Sequence, residues 1–156
     1  MKLISHRGNL YGPDPEKENN PEYIKIAYDL GYDVEIDLWS NNTEMFLGHD
    51  KPQYKVDYDF INSMSDRLWI HCKNLEALYC CKFLLKDTHY FWHQSDDFAL
   101  TSKNIIWTYP GKELTPNSVI VMPELNNFSD VGPDVYGICT DEVIEVKEML
   151  DDIPVS

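Results

Sequence analysis

Seven short runs rich in apolar and β-favouring residues constrain this chain more than any other feature: Lys2–Ser5, Tyr32–Trp39, Leu68–Cys72, Tyr90–His93, Ile105–Tyr109, Val119–Met122 and Val135–Cys139. Between the first two lies Pro21–Gly31, with Tyr23, Ile26, Ala27 and Leu30 at helical spacing, a proline in the first turn and a glycine just past the end. Strand, helix and strand in that order predict a β-α-β unit. Further helical segments fit Asp57–Met64, Leu75–Leu85 and Asp141–Leu150, with Thr140 placed to cap the last. Strands alternating with helices predict a parallel α/β architecture. The sequence lacks the glycine-rich phosphate turns of open-sheet nucleotide folds. Instead His6, Glu35, Asp37, His71, His93, Tyr109 and Glu124 fall at strand ends, where barrel enzymes carry their catalytic groups. A full eightfold barrel takes about 250 residues, whereas this chain has 156, enough for one domain. The connections from His93 to Ile105 and from Tyr109 to Val119 are too short for a helix with its loops. The expectation is a single-domain, reduced (β/α) TIM-type barrel over residues 1–156, with about seven parallel strands and some outer helices missing.

Charge narrows the partners. The formal net charge is −14, from 13 basic and 27 acidic residues, and no Lys/Arg cluster is present to grip a nucleic-acid backbone. A small phosphate ester remains compatible if a bound cation reverses the field where carboxylates converge. Met1–Arg7 holds only two consecutive apolar residues, and no later segment approaches membrane-spanning length, so the expectation is a cytoplasmic protein with no secretory leader and no membrane span. Cys72, Cys80, Cys81 and Cys139 form no CxxC pair and are expected as free buried thiols.

The chemistry concentrates in three triplets. His6-Arg7-Gly8 closes the first strand, Glu35-Ile36-Asp37 lies in the second, and Gly48-His49-Asp50 follows the apolar piece Met45–Leu47 after a turn at Ser40-Asn41-Asn42. Glu35 and Asp37 are two apart on a strand, so they project to one face and can chelate a hard cation. Val34, Ile36 and Leu38 surround them, and two acids inside such a strand are costly unless paired or metal-bound. Arg7 offers a planar fork to phosphate oxygens, and Gly8 permits a tight departure near a ligand. A phosphodiester resists nucleophiles by its own charge and leaves a poor alkoxide, so cleavage needs charge neutralisation and proton transfer at both ends. His6 and His49 titrate in the right range to supply the proton transfers. His71 and Lys73 share one face at the end of Leu68–Cys72, the first able to complete a metal sphere and the second to neutralise phosphate. His89 and His93 are four apart, but in a β-like run, which predicts core or rim packing. Trp39 and Trp107 are candidates to stack on an apolar or ring-bearing leaving group.

The order His-Arg-Gly, Glu-Asn, Glu-Ile-Asp, His-Asp and a strand ending in Lys resembles the glycerophosphodiester phosphodiesterase family, within the PLC-like phosphodiesterase superfamily. Glu18-Asn19-Asn20-Pro21 looks like that family's Glu-Asn-Thr-Pro, with Asn20 in place of threonine, and Tyr136–Asp141 looks like its closing Gly-hydrophobic-x-Thr-Asp motif. The resemblance is dense over residues 1–50 and sparse beyond, as in a short divergent member. It implies a barrel hydrolase that binds a divalent metal ion through Glu35 and Asp37, uses His6 and His49 as the acid/base pair, contacts phosphate with Arg7 and Lys73 and supports the site with Glu18. In many members the substrate's own hydroxyl attacks first, giving a cyclic phosphate.

One departure stands out. His71 takes the position of a third metal carboxylate, so the implied metal set is Glu35, Asp37 and His71. Mg²⁺ or Ca²⁺ is the expected ion, and the imidazole admits Mn²⁺ or Zn²⁺ as well. The expected function is metal-dependent hydrolysis of a small, glycerophosphodiester-like phosphodiester. The alternatives are a non-catalytic phosphate- or ligand-binding barrel derived from that family, and a lyase that releases a cyclic phosphate. Outer surface left uncovered by missing helices points to a homo-oligomer.

Overall fold

The computed structural model describes residues 1–41, 43–129, 131 and 134–152. The first strand, β1 (Lys2–His6), is central, and α1 (Pro21–Asp29) leads to a long second strand, β2 (Asp33–Asn41). Asn20 caps α1 by accepting the Glu22 N–H at 2.9 Å, so the asparagine that stands where the resemblance has threonine still performs the capping. Next come β3 (Glu44–Leu47), β4 (Tyr54–Val56) and the short α2 (Tyr58–Ser63), which Asp57 caps at Phe60 N. β5 (Leu68–Cys72), α3 (Leu75–Phe83) with Asn74 as its cap, and β6 (His89–Trp92) follow. The chain ends with β7 (Phe98–Leu100), β8 (Ile106–Thr108), β9 (Ser118–Val121), a 3₁₀ turn at Pro123–Asn126, β10 (Gly137–Thr140) and α4 (Val143–Asp151).

These strands form one mixed ten-stranded sheet that curls into a half-barrel, which corrects the expected TIM-type barrel. Its main path runs β4-β3-β2-β1-β10-β9-β8-β7, with β5 and β6 branching from β2. Three strands break the parallel pattern. β3 lies antiparallel to the second half of β2, β4 antiparallel to β3, and β7 antiparallel to β8. The physical cause is connection length. Where a β/α barrel inserts a helix between consecutive parallel strands, residues 94–105 can only double back as β7, and residues 109–117 cross without a helix. β2 is long enough to hold β1 against Asp33–Glu35 and then β3 against Leu38–Asn41, while β5 pairs with Val34–Leu38. Two smaller expectations also change. The turn expected at Ser40–Asn42 is displaced, because β2 continues through Asn41; Asn42 lies outside the described residues. Thr140 ends β10, and the cap position of α4 is Glu142, whose N–H the Thr140 hydroxyl accepts at 3.0 Å.

Strand alternation divides the interior into two faces. Val34, Ile36 and Leu38 of β2 and Leu68, Ile70 and Cys72 of β5 face α1 and α3, and each is essentially inaccessible. Burying an aliphatic side chain of this kind stabilises by about 1.5–3 kcal/mol. The opposite, concave face carries an apolar floor of Ile4, Trp69, Phe91, Trp107 and Val119. Above it, toward the carboxyl ends of the parallel strands, lie the polar residues. All four cysteines are free and buried. Among the described residues, no helix is long and apolar enough to cross a membrane.

Candidate functional site

The site begins with the same alternation. Because Val34, Ile36 and Leu38 turn outward, Glu35 and Asp37 must turn inward, where they are 2% and 0% exposed. Parallel pairing sets Asp37 beside His71 and His6 beside Glu35. The His71 Nδ1 atom lies 3.1 Å from Asp37 Oδ1 and 3.9 Å from Glu35 Oε1. Its Nε2 lies 2.8 Å from the His93 carbonyl, which leaves Nδ1 as the ring atom that faces the two carboxylates. Phe91 stacks on the His71 ring at 5.2 Å and 10°, holding that orientation.

Two left-handed turns bring in the loop residues. Just past β1 the chain turns at Arg7 (φ 54°) and Gly8 (φ 89°). A Cβ on Gly8 would come within 3.0 Å of the Tyr23 ring and 3.2 Å of the Ile24 backbone, so the turn requires glycine. It folds Arg7 back over the carboxylates, with Nε 2.9 Å from Asp37 Oδ2 and Nη1 3.1 Å from Glu18 Oε2. Gly48 (φ 153°) receives the Trp39 indole N–H on its carbonyl at 2.7 Å and donates its own N–H to Asp37 O, and this turn sets the His49 Nδ1 atom 3.5 Å from Asp37 Oδ2. Trp39 therefore braces the His49 loop and is not among the residues lining the main cavity. Lys73 N donates to Leu38 O, and its ammonium lies 3.4 Å from Asp37 Oδ1.

Burial and charge act in opposite directions on the two acids. Burial on its own would raise Asp37, but His49, His71, Arg7 and Lys73 hold it well below the usual carboxylate range. Burial pushes Glu35 up, and the neighbouring Asp37 charge adds to it, against the smaller pull of His6 and Arg7. His6 is 7% exposed; burial opposes its protonation, yet its Nδ1 contact with Asp141 Oδ1 at 2.7 Å and the nearby Glu35 carboxylate more than offset this and raise its pKa. Asp141 is lowered, because the hydrogen bonds from His6 and Asn9 outweigh its burial.

The eight residues of the implied acid/base, phosphate, support and metal sets therefore meet. His6, Arg7, Glu35, His49, His71 and Lys73 line one cavity of about 420 Å³, and Asp37 lies buried within the cluster that borders it. Glu18 borders an adjoining cleft and anchors Arg7. Several partners carried no assigned role in the sequence reading. Asn19, wholly buried, donates to Asp37 Oδ2 and accepts the Asp37 N–H, both at 2.9 Å. Asn9 bridges Glu18 and Asp141, and Glu124 accepts from the Thr140 hydroxyl and the Asp141 N–H. The signal for Asn19 and Asp141 lay in the Glu-Asn and Thr-Asp motifs; Asn9 and Glu124 had none specific to these contacts.

The donor set suits a divalent cation. One ligand atom from each of Glu35, Asp37 and His71 lies within 4.8 Å of the others. Glu35 Oε2 is buried without a hydrogen-bond partner, an arrangement that is costly in a carboxylate unless a cation faces it, whereas Asp37 Oδ1, which also lacks one, is faced by Lys73 at 3.4 Å and by His71 at 3.1 Å. No protein-family model matches the chain, and no curated protein matches it.

Proposed function

We propose that the chain is a metal-assisted phosphodiesterase acting on a small phosphodiester, with His6 and His49 as its acid/base pair. One observation carries this reading: two buried carboxylates and an imidazole nitrogen converge beside a cavity that also holds Arg7, Lys73, His6 and His49. The order of motifs that resembles the glycerophosphodiester phosphodiesterase family supports it.

Arg7 and Lys73 supply the positive charge that a phosphodiester anion needs, in a site shielded enough for that charge to act strongly. Glu18 and Asn19 hold the arrangement, the first by fixing the Arg7 guanidinium and the second by fixing Asp37. Asp141 orients His6 through Nδ1, leaving Nε2 on the Glu35 side of the ring, 3.8 Å from Oε2. The raised pKa of His6 suits it to protonate the leaving alkoxide. His49 is 44% exposed and stands at the rim, where it can take a proton from the attacking hydroxyl. A divalent ion held by Glu35, Asp37 and His71 would polarise a phosphoryl oxygen.

The test is direct. Purified protein supplied with Mg²⁺, Ca²⁺ or Mn²⁺ should cleave a glycerophosphodiester with an uncharged second arm or an activated bis-aryl phosphodiester, and His6→Ala or His49→Ala should lower turnover by about 10²-fold or more. Absence of cleavage with every metal over a broad diester panel would refute the enzyme reading.

A further inference from the structure

Resting on the phosphodiesterase reading, we infer that one ester arm of the substrate carries a planar, uncharged ring, received by Trp107 and Tyr109, while the other arm is polar and enters a separate cleft. The main cavity is larger than a phosphate group needs, and beyond Lys73 its wall changes character to Trp92, His93, Trp107, Tyr109, Val121 and Met122. Trp107 is held from behind, 4.5 Å from the Phe91 ring at 29° and 5.9 Å from Trp69, so its position is set before any ligand arrives. Tyr109, just past the end of β8, is half exposed and lies 6.3 Å from the His93 ring. Nδ1 of His93 is buried with no hydrogen-bond partner, which leaves a polar group at this wall for a ring substituent.

Aromatic walls also receive quaternary ammonium groups, but the charge here argues against that. Arg7 and Lys73 line this cavity, and Glu35, buried beside His6 and His71, is the one carboxylate among its lining residues. More acids line the neighbouring cleft. A second cleft of about 530 Å³ shares His6, Arg7, His49 and Met122 with the first and is bordered beyond them by Glu18, Asp50 and Gln53. The two clefts meet at the candidate acid/base histidines, which is where a diester must be held for its two arms to diverge. Stacking suits the first cleft, and hydrogen bonding suits the second.

Calorimetric titration of the full chain with Mn²⁺ present, using phenyl phosphate and glycerol 2-phosphate as probes, tests this without depending on turnover. Phenyl phosphate should bind about tenfold more tightly, the effect of one stacked ring. Tyr109→Ala should cut that preference by threefold or more and leave glycerol 2-phosphate unchanged, and Tyr109→Phe should retain it. Equal affinity for the two probes, or a preference that Tyr109→Ala leaves intact, would overturn the ring assignment while leaving the phosphodiesterase reading standing. Failure of both probes to bind would overturn the two together.

Discussion

Acidification from pH 7.5 to 4.5 should destabilise the protein by an increment that His89→Gln removes. His89 is 6% exposed, its Nε2 lies 2.6 Å from the Thr101 hydroxyl, and its ring packs 3.9 Å from the Trp69 ring. Burial, with a smaller contribution from Lys103, lowers its pKa to about 4. The folded state thus keeps the imidazole neutral in a range where the unfolded chain, at a pKa of about 6.5, takes up a proton. Stability from this group is complete above pH about 6.5 and falls as the pH drops toward the folded pKa, because the unfolded state binds the extra proton. Integrated to pH 4.5, those two pKa values give about 2.6 kcal/mol, and solvent screening at a site near the sheet end reduces this to about 2 kcal/mol. The increment bears on the pocket, since Trp69 in turn packs against Trp107. Urea unfolding of wild type and His89→Gln at pH 7.5, 6.0, 5.0 and 4.5 isolates it, because every other titrating group is common to both proteins. Parallel loss of stability in the two, within about 0.5 kcal/mol, would refute the reasoning.

Two further substitutions probe the cluster itself. Asn19→Ala removes both hydrogen bonds to Asp37 and puts alanine at φ 62°, so it should cost about 3–4 kcal/mol in chemical denaturation; a cost below about 1 kcal/mol would show that Asp37 is held without it. His71→Glu adds a third carboxylate and should shift the ion that most raises the melting temperature toward Mg²⁺ or Ca²⁺; an unchanged order of stabilisation by Mg²⁺, Ca²⁺, Mn²⁺ and Zn²⁺ would exclude His71 as a ligand.

Much of the secondary structure was legible because its signals are local. Runs such as Leu68–Cys72 and Val119–Met122 are dense in β-favouring residues, and Pro21 and Gly31 punctuate α1. β4 and β7 were not legible. Each has only three residues, too few to show a period of two, and each forms by pairing with the edge that a neighbouring strand offers. The barrel expectation failed for a related reason. Short connections signal lost helices, but residues 94–105 add an antiparallel strand that changes the sheet, while residues 109–117 cross between parallel strands without a helix.

What the sequence determined by itself is the facing of residues along each strand. Alternation with Val34, Ile36 and Leu38 commits Glu35 and Asp37 to the same side, and Gly8 and Gly48 allow the turns that carry Arg7 and His49. What only the tertiary structure decided is their meeting. Asp37 faces Arg7, Asn19, His49, His71 and Lys73 because β1, β2 and β5 pair in one register, and a slip of one residue would turn each inward side chain outward. His6 and Asp141 are 135 positions apart, and β10 beside β1 brings them to 2.7 Å. Separations of that length are closed by the sheet's hydrogen bonds and its apolar floor, which act over the whole fold and leave no pattern in any local stretch of sequence.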